Sequence, residues 1–359
     1  MHVSGRFQAG LKPDNYDSLA DGRTGNVSGM EWTADVSAGD WVRERIDDPW
    51  HGTMHDVVPR GFAAYARIFH AAEVTELPGE RMPELDAWLA LPWPQQEQLM
   101  ARMTHRPATW AEAASAFGTT FHPGAQWSAL VRTTDDDPNG WQQVIASDGR
   151  QYNAPIEGEL APGLVAAAAA HLAAHTTTPD DGYVALWEGR GGLLGHLGDT
   201  PSRAFLQMGD GSDATLARHN EMLGTSFRDV FNNVFRKPTW QEGILSREIS
   251  EGPRLDLPGR SHVLFRGGIA ELARPDWVLH VPWRDRIAEG QGFPADAPSP
   301  SLAWPADHAW VLVTEVDYDS TIVGGSSELI AAIVADERLE ALEIPADLAL
   351  HHGADEVNG

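Results

Sequence analysis

Cysteine is absent from the 359 residues, which excludes disulfides and thiolate metal sites and removes one clue to redox compartment. Lysine is almost absent: Lys12 and Lys237 stand beside 24 arginines. That imbalance points to a GC-rich genome, and any lysine chemistry has only these two positions. Long apolar runs are missing as well. The most apolar stretch, 163-GLVAAAAAHLAAH-175, is interrupted by His171 and falls short of the roughly 18 residues of a membrane span. The N-terminus, MHVSGRFQAGLKPDNYDSL, lacks the basic-then-apolar order of a secretion signal, so a cytoplasmic location is the expectation. Positive charge is scarce. A formal net charge of -26 argues against a nucleic-acid binder that works by neutralising phosphates, which needs a basic face.

What is present is an ordinary soluble composition with 42% hydrophobic residues, enough to bury a sizeable core. The acids are unevenly placed. Residues 311–359 hold eleven acids against Arg338 alone, whereas residues 254–286 hold six arginines against four acids. This predicts that the two segments pair. Residues 1–40, rich in Gly, Ser, Asp and Asn, read as a loosely ordered arm. Residues 41–359 read as one α+β domain of helices and short, mainly antiparallel strands around one large core, with any division into two lobes near 238–250. Helices are predicted over 83–91, 94–104, 109–117, 161–175 and 213–235, the third capped by Thr109 with Glu112 as capping-box partner. A strand is predicted after Pro59-Arg60-Gly61, another over 183–189, and a pair around the Pro-Gly turn of 254-RLDLPGRSHVLFRGG-268. Residues 133–140 read as an exposed turn.

Several residue sets suggest chemistry. Asp317-Tyr318-Asp319-Ser320-Thr321 resembles the D-x-D-x-T signature of haloacid-dehalogenase-type phosphatases. Only 40 residues follow Asp319 and no lysine lies beyond Lys237, so the fold and phosphate-binding lysine of that family have no room. A strand continuing from Val311 to Asp319 would place Glu315, Asp317 and Asp319 on one face, where a divalent cation (Mg2+, Mn2+ or Ca2+) could bridge them, or where they could meet water or the arginines of 254–286. The glycine turn Gly324-Gly325-Ser326 could cradle an anion or simply cap a helix. Arg60 and Arg67, beside Tyr65 and His70, could form a polar ligand pocket. The pairs His51/His55 and His171/His175 have helical metal-ligand spacing but lack the Glu of H-E-x-x-H. Trp283, Trp304 and Trp310 either line a groove or staple loops onto the core.

The passages 57-VVPRGFAAYARIFHAA-72, 174-AHTTTPDDGYVALWEG-189, 257-LPGRSHVLFRGG-268 and 300-PSLAWPADHAWVLVTEVDYDSTIVGGSSELIAAIVADERLEAL-342 resemble a family of uncharacterised actinobacterial proteins. That resemblance implies a bacterial, cytoplasmic protein and brings no activity, cofactor or catalytic residue with it. With no complete catalytic set in view, the leading expectation is a non-catalytic protein that binds a small-molecule or protein ligand, with no nucleic-acid or membrane partner. The alternative is a metal-dependent enzyme acting on a phosphorylated substrate through Glu315, Asp317 and Asp319.

Overall fold

The computed structural model describes residues 29–48, 50–133, 140–198, 238–351 and 353–359. Lys12, Lys237, the turn at 134–139, the helix predicted over 213–235 and residues 1–28 of the predicted arm lie outside them. The architecture is α+β, with every named strand pair antiparallel. Two compact units emerge, one from His70–Ile156 with Leu350–Gly359, the other from Gly29–Phe69 with Glu157–Ala349. Residues 238–250 fall inside the second. Strands β1 (Glu31–Trp32) and β2 (Ala64–Phe69) belong to the larger unit. Strands β3 (Ala72–Glu76), β4 (Thr104–Ala108), β5 (Gln143–Ile145) and β6 (Gln151–Asn153) belong to the smaller. The larger unit resumes with β7 (Gly182–Trp187), β8 (His196–Gly198), β9 (Thr239–Gln241), β10 (Leu255–Leu257) and β11 (Arg260–Gly267). It finishes with β12 (Leu302–Pro305), β13 (Val311–Val313), β14 (Ser320–Gly325) and β15 (Ala341–Ile344).

The smaller unit is a four-stranded sheet in the order β4-β3-β6-β5. Its helix Trp110–Phe117 begins as predicted: Thr109 Oγ1 accepts from the Glu112 amide at 3.0 Å. The Glu112 carboxylate goes instead to Arg106 and Arg150, at 2.6 and 2.9 Å. The helix predicted over 94–104 ends at Met100, because Thr104 opens β4 and pairs with Glu76.

The larger unit is built on a nine-stranded sheet in the order β1-β11-β7-β12-β13-β14-β2-β15, with β10 also pairing β11. Residues 29–40, placed in the arm by composition, carry β1, whose Glu31 and Trp32 pair with Arg266 and Phe265. The predicted Pro-Gly hairpin forms, with Leu257 opposite Arg260 and Gly259 at φ 80°, a conformation that glycine adopts without strain. All six residues of β14 are buried, Ser320 and Thr321 included, so this inner strand is covered on both faces. One face of the sheet packs against helix Pro162–Ala174 and helix Ser327–Val334. The first of these is alanine-rich with Pro162 at its start, a favourable composition and opening. Leu264, Leu302, Val311, Val313 and Ile322 are buried at alternate positions, so the other face is covered too. The three tryptophans prove to be core residues: Trp310 donates to the Leu172 carbonyl at 2.8 Å and Trp283 to that of Pro298 at 3.0 Å, and Trp304 is fully buried.

Gly158 ties the chain to the turn between β13 and β14. Its amide donates to the Tyr318 carbonyl at 2.8 Å, its φ is 67°, and an added Cβ would lie 2.6 Å from the Val316 Cα. Backbone on one side and a left-handed conformation on the other leave a side chain nowhere to go. Gly158→Ala is therefore expected to cost about 2–4 kcal/mol, read as a lower urea midpoint at unchanged m-value.

Candidate functional site

The strand predicted to run to Asp319 ends at Val313. Thr314 to Asp319 form the turn into β14, with the Tyr318 amide donating to the Glu315 carbonyl at 3.0 Å. The alternation that would align three carboxylates is therefore broken, and each meets an arginine. Arg260, opening β11, donates from Nε to Glu315 at 2.6 Å and from its other branch to Asp317. The predicted pairing of the arginine-rich and acidic segments is this contact. Its guanidinium also lies over the Trp187 ring at 4.9 Å. Asp319 is taken by Arg67, at 2.9 Å; Arg67 is 1% exposed, donates to Ser320 Oγ at 2.8 Å and covers the Phe69 ring. Glu315 is buried, and burial pushes its carboxyl up from the ordinary value while Arg260 opposes the shift.

The glycines expected in a turn are the last two residues of β14. A Cβ on Gly324 would meet the Phe62 ring at 2.7 Å and the Tyr65 ring at 2.9 Å, and one on Gly325 would meet Leu329 at 2.7 Å. Close packing, rather than an anion cradle, accounts for both. Ser326 caps the following helix, its Oγ accepting from the Leu329 amide at 3.2 Å. Nor do Arg60, Tyr65 and Arg67 converge on one pocket. Tyr65 donates to the Pro59 carbonyl at 3.3 Å, and Arg67 turns into the sheet as described. Arg60 lies at the surface, where it holds Asp47 through two bonds of 2.8 and 2.7 Å and Asp347 through a third of 2.7 Å.

That surface cluster continues into a group that the histidine spacing did not reveal. Asp47, His51 and Asp56 each offer a ligand atom within 4.8 Å of the others, and together they could hold a metal ion. The loop between them is locally determined. Asp56 is buried and accepts from the His51 amide at 2.7 Å and the Gly52 amide at 2.8 Å, while Thr53 Oγ1 accepts from the His55 amide at 3.2 Å. His51 Nδ1 lies 3.3 Å from Asp47. Arg60 holds the Asp47 carboxyl down at about 2. His55, the partner suggested by spacing, turns inward to the Val58 carbonyl at 2.9 Å. Likewise His171 meets Asp336 at 2.7 Å, whereas His175 bonds the His171 carbonyl. The usable signal was the acid on either side of His51, at positions 47 and 56.

Asp56 also borders a cavity of about 20 Å3, with Arg260, Glu315 and His262 among its lining and Ile46, Leu302 and Val313 as apolar wall. That volume suits a water-sized occupant. His262 is 4% exposed, and its Nδ1 has no hydrogen-bond partner. Burial pulls its imidazole down to about 4, an interaction with the Leu255 backbone opposing the shift.

No family model, curated protein or solved structure matches the chain.

Two outcomes are expected from this geometry. Arg260→Met leaves Glu315 buried without its counterion and should cost about 3–5 kcal/mol. Asp317→Asn, at a side chain 74% exposed, should stay within about 1 kcal/mol in the same denaturant titrations. The second concerns pH. An imidazole whose pKa falls on folding favours the folded state fully only above its unfolded value near 6.5, and this contribution is lost as pH falls towards about 4. The step is worth about 3 kcal/mol. His262→Leu should remove it, so that urea midpoints at pH 7 and pH 4.5 lie closer together in the variant than in wild type.

Proposed function

We propose that the protein is a ligand-binding protein of the cytoplasm whose ligand is a divalent cation, held by Asp47, His51 and Asp56. The observation that carries this reading is the approach of three ligand atoms to within 4.8 Å on one short loop. Charge supports it. Asp47 and Asp347 share a single guanidinium, Arg60, and with Asp56 beside Asp47 the three carboxylates leave two negative charges for a divalent ion to balance. Donor chemistry narrows the choice. Two carboxylates with an imidazole suit Mn2+ better than Mg2+ or Ca2+, which favour oxygen alone. Arg60 shares Asp47 with the ion and limits the excess charge when the site is empty.

The reading as a metal-dependent enzyme acting on a phosphorylated substrate through Glu315, Asp317 and Asp319 has weaker support. A cation there would have to displace Arg260 from two of the carboxylates and Arg67 from the third.

Thermal unfolding with Mn2+, Mg2+ and Ca2+ separates the two. Mn2+ at a hundred times its dissociation constant should stabilise wild type by about 2.7 kcal/mol. His51→Ala and Asp56→Asn should abolish the shift, and Asp317→Asn/Asp319→Asn should keep it. Acidification should weaken it, because protons compete with the metal for its ligands. A shift that survives His51→Ala and vanishes in the Asp317/Asp319 variant would transfer the site to the hairpin turn; no shift with any cation would end the proposal.

A further inference from the structure

Between β3 and β4 the smaller unit carries two short helices, Leu85–Ala90 and Trp93–Met100, and neither contains a buried residue. Helices of this length are marginal on their own backbone bonds, and packing of an apolar face usually holds them. Here the joint between them is polar: Gln96 Nε2 donates to the Trp88 carbonyl at 3.2 Å and to the Leu91 carbonyl at 2.9 Å. The large apolar side chains are left to solvent. Leu85 is 67% exposed, Leu89 66% and Trp93 58%. Leu85 and Leu89 share a helix face through their i, i+4 spacing, and Trp93 follows four residues on. Leu99, Met100 and Met103, further along, are only half-buried. Single exposed leucines need no explanation, but apolar side chains bared together in one short segment mark a binding surface.

The charge of the same segment defines the partner. Residues 84–100 hold three acids, Glu84, Asp86 and Glu97, and no base. Glu84 meets Arg81 at 3.6 Å, whereas Asp86 and Glu97 form no ion pair among the described residues. Acids at the rim repel anionic lipid headgroups, and they repel a second copy of a chain whose net charge is -26. The neighbouring sheet edge offers little to an added strand, because Pro107 of the edge strand β4 has no amide to donate. We infer that the face carrying Leu85, Leu89 and Trp93 is a docking surface for a basic amphipathic helix of a partner protein. The apolar stripe of such a helix covers the two leucines and the indole, and its flanking Lys or Arg side chains meet Asp86 and Glu97. A tryptophan is a frequent anchor of such contacts, and methionines adapt to the side chains that arrive. Opposite charge speeds the encounter, and apolar burial holds the complex. The surface shares no residue with the cation cluster of Asp47, His51 and Asp56.

The test is a fluorescence-anisotropy titration of the full-length protein into a fluorescein-labelled leucine–lysine peptide patterned as an amphipathic helix. A scrambled peptide of the same composition and a leucine–glutamate helix are the controls. Wild type should bind the patterned basic peptide saturably and both controls far more weakly. Leu85→Ser and Leu89→Ser should each weaken binding about tenfold, as expected for a lost apolar contact. Both positions are exposed, so urea midpoints should stay at the wild-type value, and Trp93→Ala provides an independent third variant. Asp86→Lys/Glu97→Lys should weaken binding and flatten its dependence on salt. Sedimentation velocity of the protein alone and flotation with phosphatidylglycerol vesicles test the other occupants. Equal binding of the scrambled peptide, or binding indifferent to all three apolar substitutions, would overturn the inference. So would a dimer or a vesicle-bound form that Leu89→Ser abolishes, since the face would then belong to a second copy or to lipid.

Discussion

The pairing of β14 with β2 is the constraint on which the larger unit depends. Six consecutive residues, Ser320 to Gly325, face Phe69 to Ala64 in one antiparallel register. Because side chains alternate, a slip of one residue would send every side chain to the opposite face. Two features hold the register at its ends. At one end the buried guanidinium of Arg67 finds Ser320 and Asp319, and any shift would strand its charge. At the other, Gly324 lies opposite Tyr65, where only a missing side chain admits the ring. An ion pair at one end and a steric fit at the other specify the same alignment.

The arginines do more than neutralise acids in this acidic chain. Arg260 spans Glu315 and Asp317, Arg60 spans Asp47 and Asp347, and Arg67 spans a hydroxyl and a carboxylate. Each is a fork joining segments distant in sequence. A planar guanidinium with several fixed donors can do this, and a lysine ammonium on a flexible stem is a poorer substitute. The scarcity of lysine thus has a structural counterpart beyond base composition. The same forks explain why the acidic turn at 314–319 is not an open cluster of carboxylates: its charges are taken from within the chain.

Much of the fold was legible from local rules. The α+β class, the caps at Thr109 and Ser326, the alanine-rich helix and the Pro-Gly hairpin all rest on interactions within a few residues. The errors arose where distant contacts decide. Apolar-acidic alternation over 311–319 mimics a strand, but β13 stops at Val313, its last pairing with β12 and β14, and the next residues turn. Glycines 324 and 325 look like a turn until the Tyr65 and Leu329 side chains above them are known. The candidate site was least legible. Helical spacing pairs His51 with His55, whereas the loop is shaped by backbone amides pointing at Asp56 and by Arg60 reaching Asp47. His262 carried no signal at all, because its character comes from its position on β11 and from what surrounds it.

The strand order has a consequence for how the chain is made. Arg67 and Ser320, joined in the finished sheet, are 253 positions apart, and β1 waits for β11 in the same way. During synthesis β2 leaves the ribosome as an apolar strand with neither neighbour, since β14 and β15 follow far later in the chain. The smaller unit's segment, 70–156, is completed in the interval. Pairings of such long range form slowly and leave strand edges open while they form. The sheet of the larger unit therefore closes only after translation has passed residue 344, and until then both edges of β2 lack their native partners.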